Sequence, residues 1–365
     1  MGFSDIRDQD IPIRFLANML RSGRMANGLL FWGPEGVGKR MAAIELAKAV
    51  NCGQGDGNAC GTCLSCRKVA HSNHPDVKII VPSGKSRNIA VDVIDSINEL
   101  AAYRPYESTW RVVIFDDVHR MGEAAQNHFL KTLEEPPSKT MFVLVTPSPR
   151  MLLPTIRSRC QQVRFGSLHP ATVAELLRRD HDIPESTALA LASVAQGQMS
   201  RALDLVVSGK RDAVLHVMEE LANGADPLTM SEGFATHVRQ QQDALRAALK
   251  AEAANQDEDD GSRADAEDAK SEQDALVEAM LRRDLMEYLY LMLAWCRDEW
   301  VYRAAGGMQC VLNRDQEARL AKGALNAGAA RLEAIDKAWL YIERNLSMER
   351  VFRDLFFKLA PQASS

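Results

Sequence analysis

Gly33-Pro34-Glu35-Gly36-Val37-Gly38-Lys39 lies between an apolar run, GLLFWG, and a stretch of helical composition, MAAIELAKAV. The spacing is G-x-x-x-x-G-K, and it constrains this chain more than any other segment does. Glycines at Gly33, Gly36 and Gly38 let backbone N–H groups turn inward around phosphate oxygens. A helix N-terminus adds positive potential, and Lys39 reaches the outer phosphates. Such a loop works only between a buried strand and a helix, so it predicts an α/β fold. Chance glycine turns are the bland alternative, and the order of the segments that follow argues against them.

Downstream, apolar runs of buried-strand type alternate with helical spacing. DVKIIVPS reads as a strand. AVDVIDSINELAAY follows as a helix with Val91, Ile94, Ile97 and Leu100 on one face. RVVIFDD and TMFVLVT read as strands around a helix, AAQNHFLKTLEE, that Pro136-Pro137 stops. IRSRCQQVRF ends in a further short strand. Continuous apolar strands alternating with helices predict a parallel sheet covered by helices on both faces. From about Gly166 the pattern becomes helical: HPATVAELLRRD, ESTALALASVAQG and SRALDLVVSG read as three short helices. A third region, helical to the end, starts near Asp212. Its last helix is expected over about 332–360, where Leu332, Ile335, Trp339, Ile342 and Leu346 form a heptad-like stripe or an ordinary core face.

Of seven cysteines, four are clustered: Cys52, Cys60, Cys63 and Cys66. The segment around them is rich in Gly, Asn and Ser and is expected to be loop. Four thiolates within fifteen residues, with two C-x2-C turns, suit a structural tetrahedral Zn²⁺. An iron–sulfur cluster, which also takes four thiolates, is the competitor. His71 and His74 are surplus to that set. With no secretory signal pattern at the N-terminus, a reducing, cytoplasmic location is expected, where clustered cysteines bind metal rather than form disulfides.

The 365 residues are 46% hydrophobic and 25% charged, which excludes a fibre or wholesale disorder. No apolar run approaches the ~18 residues of a membrane span. The net charge of −5 conceals a local imbalance: between Glu252 and Asp274 there are ten acidic and two basic residues. The rest is mildly basic, 42 against 39. The acidic, alanine-rich stretch of about 251–275 reads as a solvated, disordered insertion, with a charged exposed helix as the alternative.

The chemistry of the phosphate loop departs from that of an ATPase. The residue after the loop lysine should be Ser or Thr, whose hydroxyl ligates Mg²⁺; here it is Arg40, which cannot ligate a cation. The RVVIFDD strand supplies Asp116, the expected Mg²⁺-holding acid. The second acid, usually the Glu that orients water, is Asp117, one methylene shorter.

With these residues in hand, the chain resembles the bacterial clamp-loader subunits of DNA polymerase III, in the wider family of replication factor C. The resemblance rests on GPEGVGK, the four-cysteine module, VVIFDDVHRM, LKTLEEPPSKTMFVLVT, LLPTIRSRC and ERNLSMERVF. Within the family it is more similar to delta-prime than to the gamma/tau motor, which keeps GKT and DE in these motifs. In a third departure, Ser200 stands where the motors carry a γ-phosphate-sensing arginine, with Arg201 one step along. Thr146 matches the other sensor position.

The resemblance implies a RecA-like domain of AAA+ type over 1–165 with a zinc module at 52–66. A small helical lid over 166–211 and a helical collar over 212–365 would follow. It implies a five-subunit ring with gamma/tau and delta partners that loads a sliding clamp onto primer–template DNA. The Ser158-Arg159-Cys160 arginine would complete a neighbour's ATP site in trans. A surface ion pair is the bland reading of Arg159, and a small buried residue that of Cys160. An active ATPase motor and a stand-alone DNA-binding protein are the other function classes. For the latter, the loop Lys85-Ser86-Arg87-Asn88 and the following helix N-terminus are the candidate contacts, with Arg87 and Asn88 foremost.

Overall fold

The computed structural model describes residues 2–361, except 55–57, 83–87, 138, 257–265 and 324–327. The chain packs as two compact units, 1–172 with 197–200, and 173–196 with 201–365. Among the described residues no helix is long and apolar enough to cross a membrane.

The first unit opens with α1 (Asp10–Ser22), which the sequence pattern did not reveal. It contains β1 (Gly28–Trp32), α2 (Lys39–Val50), α3 (Leu64–Ala70), β2 (Val77–Ile80) and α4 (Val91–Ala102). Then come β3 (Arg111–Phe115), α5 (Glu123–Glu134), β4 (Thr140–Thr146), α6 (Pro154–Arg159) and β5 (Gln161–Arg164). The strands form one parallel sheet in the order β2-β3-β4-β1-β5. β3 and β4 are buried along their whole length, as continuous apolar runs require. Trp32 stands opposite Thr146, and Phe115 opposite Leu144. The carboxyl ends of β1, β3 and β4 therefore lie side by side, where parallel sheets place their ligands.

An aromatic stack holds α5 on the sheet. Phe129 lies 5.0 Å from Phe115 and 5.2 Å edge-on from Phe142. Leu133, Ile156 and Cys160 belong to the same core. On α4 the buried face is Ile94, Ile97 and Ala101, while Val91 at its start is exposed.

In the second unit, α7 (Pro170–His181) has its first turn in the first unit, and α8 (Glu185–Val194) follows. The first two residues of α9 (Met199–Ser208) also belong to the first unit. α10 (Lys210–Ala222), α11 (Pro227–Gln256), α12 (Ala266–Ala305), α13 (Glu317–Gly323), α14 (Ala329–Glu343) and α15 (Met348–Leu359) complete it. Phe234 of α11 packs 5.1 Å from Phe352 and 5.4 Å from Tyr288, both edge-on.

Two expectations are corrected here. The single helix over 332–360 is two helices, broken at Arg344–Ser347, where Asn345 takes a left-handed conformation with φ 59°. Of the stripe, Ile335 and Ile342 are buried and Leu346 is exposed. The acidic stretch is not loop from 251 to 275: α11 runs to Gln256 and α12 resumes at Ala266. Good helix formers carry both ends, and 257–265 lie outside the described residues.

Candidate functional site

The phosphate loop leaves β1 and enters α2 at Lys39. Gly33 has φ 146° and Gly36 has φ 72°. A Cβ at Gly33 would stand 2.1 Å from the Phe165 carbonyl oxygen, and one at Gly36 would stand 2.4 Å from the Ser200 nitrogen. Both positions need glycine for conformation and for space. Ser200 is therefore packed against the loop.

Lys39 is folded onto that loop. Its Nζ donates to the Gly33 carbonyl at 2.7 Å and the Pro34 carbonyl at 2.5 Å. Burial pulls its ammonium below the ordinary lysine range, against the opposing influence of Glu35, Asp117 and Asp116. Arg40 Nη1 donates to Asp116 Oδ2 at 3.1 Å. The guanidinium thus meets the carboxylate that would hold Mg²⁺ in an ATPase. Burial, and then Asp117, push the Asp116 carboxyl above its usual value, with Arg40 opposing. Asp117 ends the β3 segment in a left-handed conformation, φ 51°, and starts a 3-10 turn over Val118–Arg120. Thr146 is buried, and its hydroxyl donates to the Ser148 carbonyl at 3.0 Å.

The turn carries His119, which sequence reasoning missed. Burial pulls its imidazole below the ordinary value, and its Nδ1 is buried without a hydrogen-bond partner. Arg201 pairs with Glu287 at 2.9 and 3.1 Å and lies 3.9 Å over the Tyr290 ring.

The four cysteines converge as predicted, with one ligand sulfur each and all four within 4.8 Å of one another. Sulfurs around one tetrahedral Zn²⁺, with Zn–S of about 2.3 Å, stand about 3.8 Å apart. The Cys60–Cys66 pair stands at 4.0 Å. An iron–sulfur cluster would need its ligands spread around a multi-atom core, so the set fits a single ion better. The expectation that the whole segment is loop is corrected: Cys66 lies in α3, and Cys63 is its N-cap, with Sγ accepting from the Cys66 N–H. The N–H groups of Cys63 and Thr62 bring the Cys60 thiol down to about 6, whereas burial pushes Cys66 up to about 12. A coordinated cation would deprotonate both.

His74 is no ligand of this set. Its Nδ1 accepts from the Asp76 N–H at 3.1 Å, and its Nε2 lies 3.1 Å from Ser108 Oγ and 3.3 Å from Ser65 Oγ. His71 is exposed. Of the proposed DNA contacts, Asn88 is exposed beside the Ile89–Met121 bridge, while Arg87 lies outside the described residues.

Arg159 ends α6. Its Nη1 donates to the Thr155 carbonyl at 3.1 Å, and its Nη2 to Glu134 Oε1 at 2.5 Å. Ser158 Oγ donates to the same Thr155 carbonyl at 2.9 Å. Cys160 is buried, and burial raises its thiol to about 12. It is a small packing residue, 3.2 Å from where a Gly28 Cβ would stand.

A five-stranded parallel sheet, a phosphate loop after β1 and an acidic pair after β3 define a RecA-like P-loop domain. Residues 8–169 match the protein family described as DNA polymerase III, delta subunit. A gamma/tau subunit of DNA polymerase III from Mycobacterium tuberculosis is 37% identical over 179 residues, 49% of this chain and 31% of that protein. The delta' subunit of Bacillus subtilis is 35% identical over 182 residues, 50% and 54% respectively. The tau subunit of Escherichia coli is 35% identical over 209 residues, 56% and 32%. The chain therefore spans between about a third and about half of the length of these relatives. The N-terminal region is thus similar to the corresponding part of DNA polymerase III gamma/tau, tau and delta' subunits.

Proposed function

We propose that the chain is a delta-prime-like subunit of a DNA polymerase III clamp loader. It is a ring member that does not hydrolyse ATP at its own loop and lends Arg159 to the ATP site of a neighbour. The observation that carries this is the Arg40–Asp116 ion pair. A guanidinium cannot take a place in the Mg²⁺ coordination shell, and this one occupies the carboxylate that would. Lys39 bonded to its own loop, Asp117 in place of Glu and Ser200 in place of arginine support the same reading.

In this reading the partners are gamma/tau and delta subunits in a five-membered ring, the sliding clamp, and primer–template DNA held within the assembly. Asn88 and Arg87 would contact DNA backbone there. The lid and collar regions would serve assembly. Cys52, Cys60, Cys63 and Cys66 would hold a Zn²⁺ that fixes α3 and its flanking loop. The rival reading, an active motor, has in its favour the 37% identity to a gamma/tau subunit. Arg40 stands against it.

The two readings separate in one experiment. The purified chain is assayed for ATP turnover alone, then mixed with gamma/tau and delta subunits and sized by light scattering. The proposal expects negligible turnover alone and a ring-sized complex in the mixture. Steady turnover by the chain alone, abolished by Lys39→Ala, would establish the motor instead.

A further inference from the structure

We propose that Glu134 is a positioning residue for Arg159, holding the guanidinium in the attitude in which a neighbour's phosphate meets it. The proposal rests on the reading of Arg159 as a group that acts in trans.

Glu134 is the last residue of α5, and Arg159 the last of α6. The two helices are registered against each other by a buried side chain of α5. Gln126 Nε2 donates to the Met121 carbonyl at 2.8 Å, and its Oε1 accepts from the Leu153 N–H at 2.9 Å, just before α6. Leu133, Ile156 and Cys160, neighbours of the two residues in sequence, share one core. Pro136-Pro137 then ends any helical continuation beyond Glu135. The carboxylate and the guanidinium are thus carried by backbone that packing has fixed.

The guanidinium is held at both terminal nitrogens, by the Thr155 carbonyl on Nη1 and by Glu134 on Nη2. Two points of contact fix its plane. A guanidinium has five N–H donors, so donors remain for a phosphate after these two bonds. Glu134 and Arg159 are 48% and 35% exposed at the side chain. Exposed pairs of this kind contribute little to folding stability, so the main consequence of the pair is geometric. Arginine has many rotamers, and a group that must meet a transition state gains when its rotamer is already selected. The carboxylate also takes away some positive potential. In the neighbour's site, however, the loop lysine and Mg²⁺ meet most of the charge, and the arginine supplies aligned donors.

The test is a double-mutant cycle in the reconstituted complex, with clamp and primed DNA present. Glu134→Ala, Glu134→Gln, Arg159→Ala and the Glu134→Ala/Arg159→Ala pair are compared for kcat and for KM of ATP. We expect Glu134→Ala to lower kcat several-fold with KM nearly unchanged. Glu134→Gln, which keeps an Oε1 acceptor, should recover most of the rate. The double variant should be no slower than Arg159→Ala alone. Equal loss from Glu134→Ala with and without Arg159 would mean that Glu134 acts through the fold and overturns the proposal. A rate increase would mean that the carboxylate restrains the arginine, and overturns it too. A full effect of Arg159→Ala with none from Glu134→Ala removes the positioning role alone. A silent Arg159→Ala removes the trans reading on which it rests.

Discussion

Asp76 shows how much one side chain can organise. It is fully buried, directly before β2 in the chain. It accepts the N–H groups of Tyr106 at 2.6 Å, Glu107 at 2.9 Å and Ser108 at 3.0 Å, and faces Arg111 Nη2 at 3.4 Å. Arg111 Nη1 donates to the carbonyls of Leu100 and Tyr103 and Nη2 to that of Arg104, and so closes the C-terminal end of α4. Burial alone would raise the Asp76 carboxyl, but the three N–H donors and Arg111 outweigh it and hold the carboxyl below its usual value. A carboxyl depressed on folding stabilises the fold above its unfolded pKa of about 4, and that stabilisation is lost as the pH falls through the folded value. Asp76→Ala leaves Arg111 buried and three N–H groups unmatched, and should cost about 3–5 kcal/mol. Denaturant unfolding at pH 7 should show that loss. The gap to the wild-type chain should stay constant down to about pH 4 and narrow below it.

At the scale of elements, the four-cysteine module is the part whose integrity would depend on a bound ion. Its first cysteine follows α2, its last lies in α3, and the described residues between them are exposed or half-buried. The core of the unit, around Phe115, Phe129 and Phe142, lies elsewhere. Metal analysis should therefore give close to one Zn²⁺ per chain. Cys63→Ser should release it and loosen α3, with most of the far-ultraviolet helical signal kept. Reduced, freshly purified protein without metal would contradict this.

Elements defined by local pattern were legible in the sequence. β4 falls on Thr140–Thr146 as its apolar run predicts, and α5 stops before Pro136-Pro137. α1 was not legible, because Pro12 and scattered polar residues hide its face. The break at Arg344–Ser347 was hidden for the opposite reason: the apolar spacing runs across it. Within the site, the loop glycines, Lys39 and the four cysteines are close in sequence and carried their own signal. The sequence showed that Arg40 cannot hold a metal, but not that it would bond Asp116, 76 residues away. Asp76 and Glu134 had no signal, since their partners come from segments 25 to 35 residues distant.

At the scale of the whole molecule, the first unit holds two sets of groups that the proposed function directs at phosphate, and their surroundings differ. The loop set is internally satisfied, Lys39 by its own carbonyls and Arg40 by Asp116. Arg159, at the end of α6, keeps donors to spare. A subunit built this way would affect ATP hydrolysis only through another subunit's site. An arginine supplied in trans contributes about 10³–10⁵ in rate at a single site, because its planar fork meets charge that develops on the transferred phosphoryl group. A ring with several sites would lose less in total. The most direct measurement is ATP turnover by reconstituted complexes carrying the wild-type chain or Arg159→Ala, with clamp and primed DNA. The account predicts an assembled, zinc-bound complex whose stimulated turnover falls, and little recovery with Arg159→Lys, which keeps the charge and loses the fork. Equal turnover by the wild-type and Arg159→Ala complexes would contradict it.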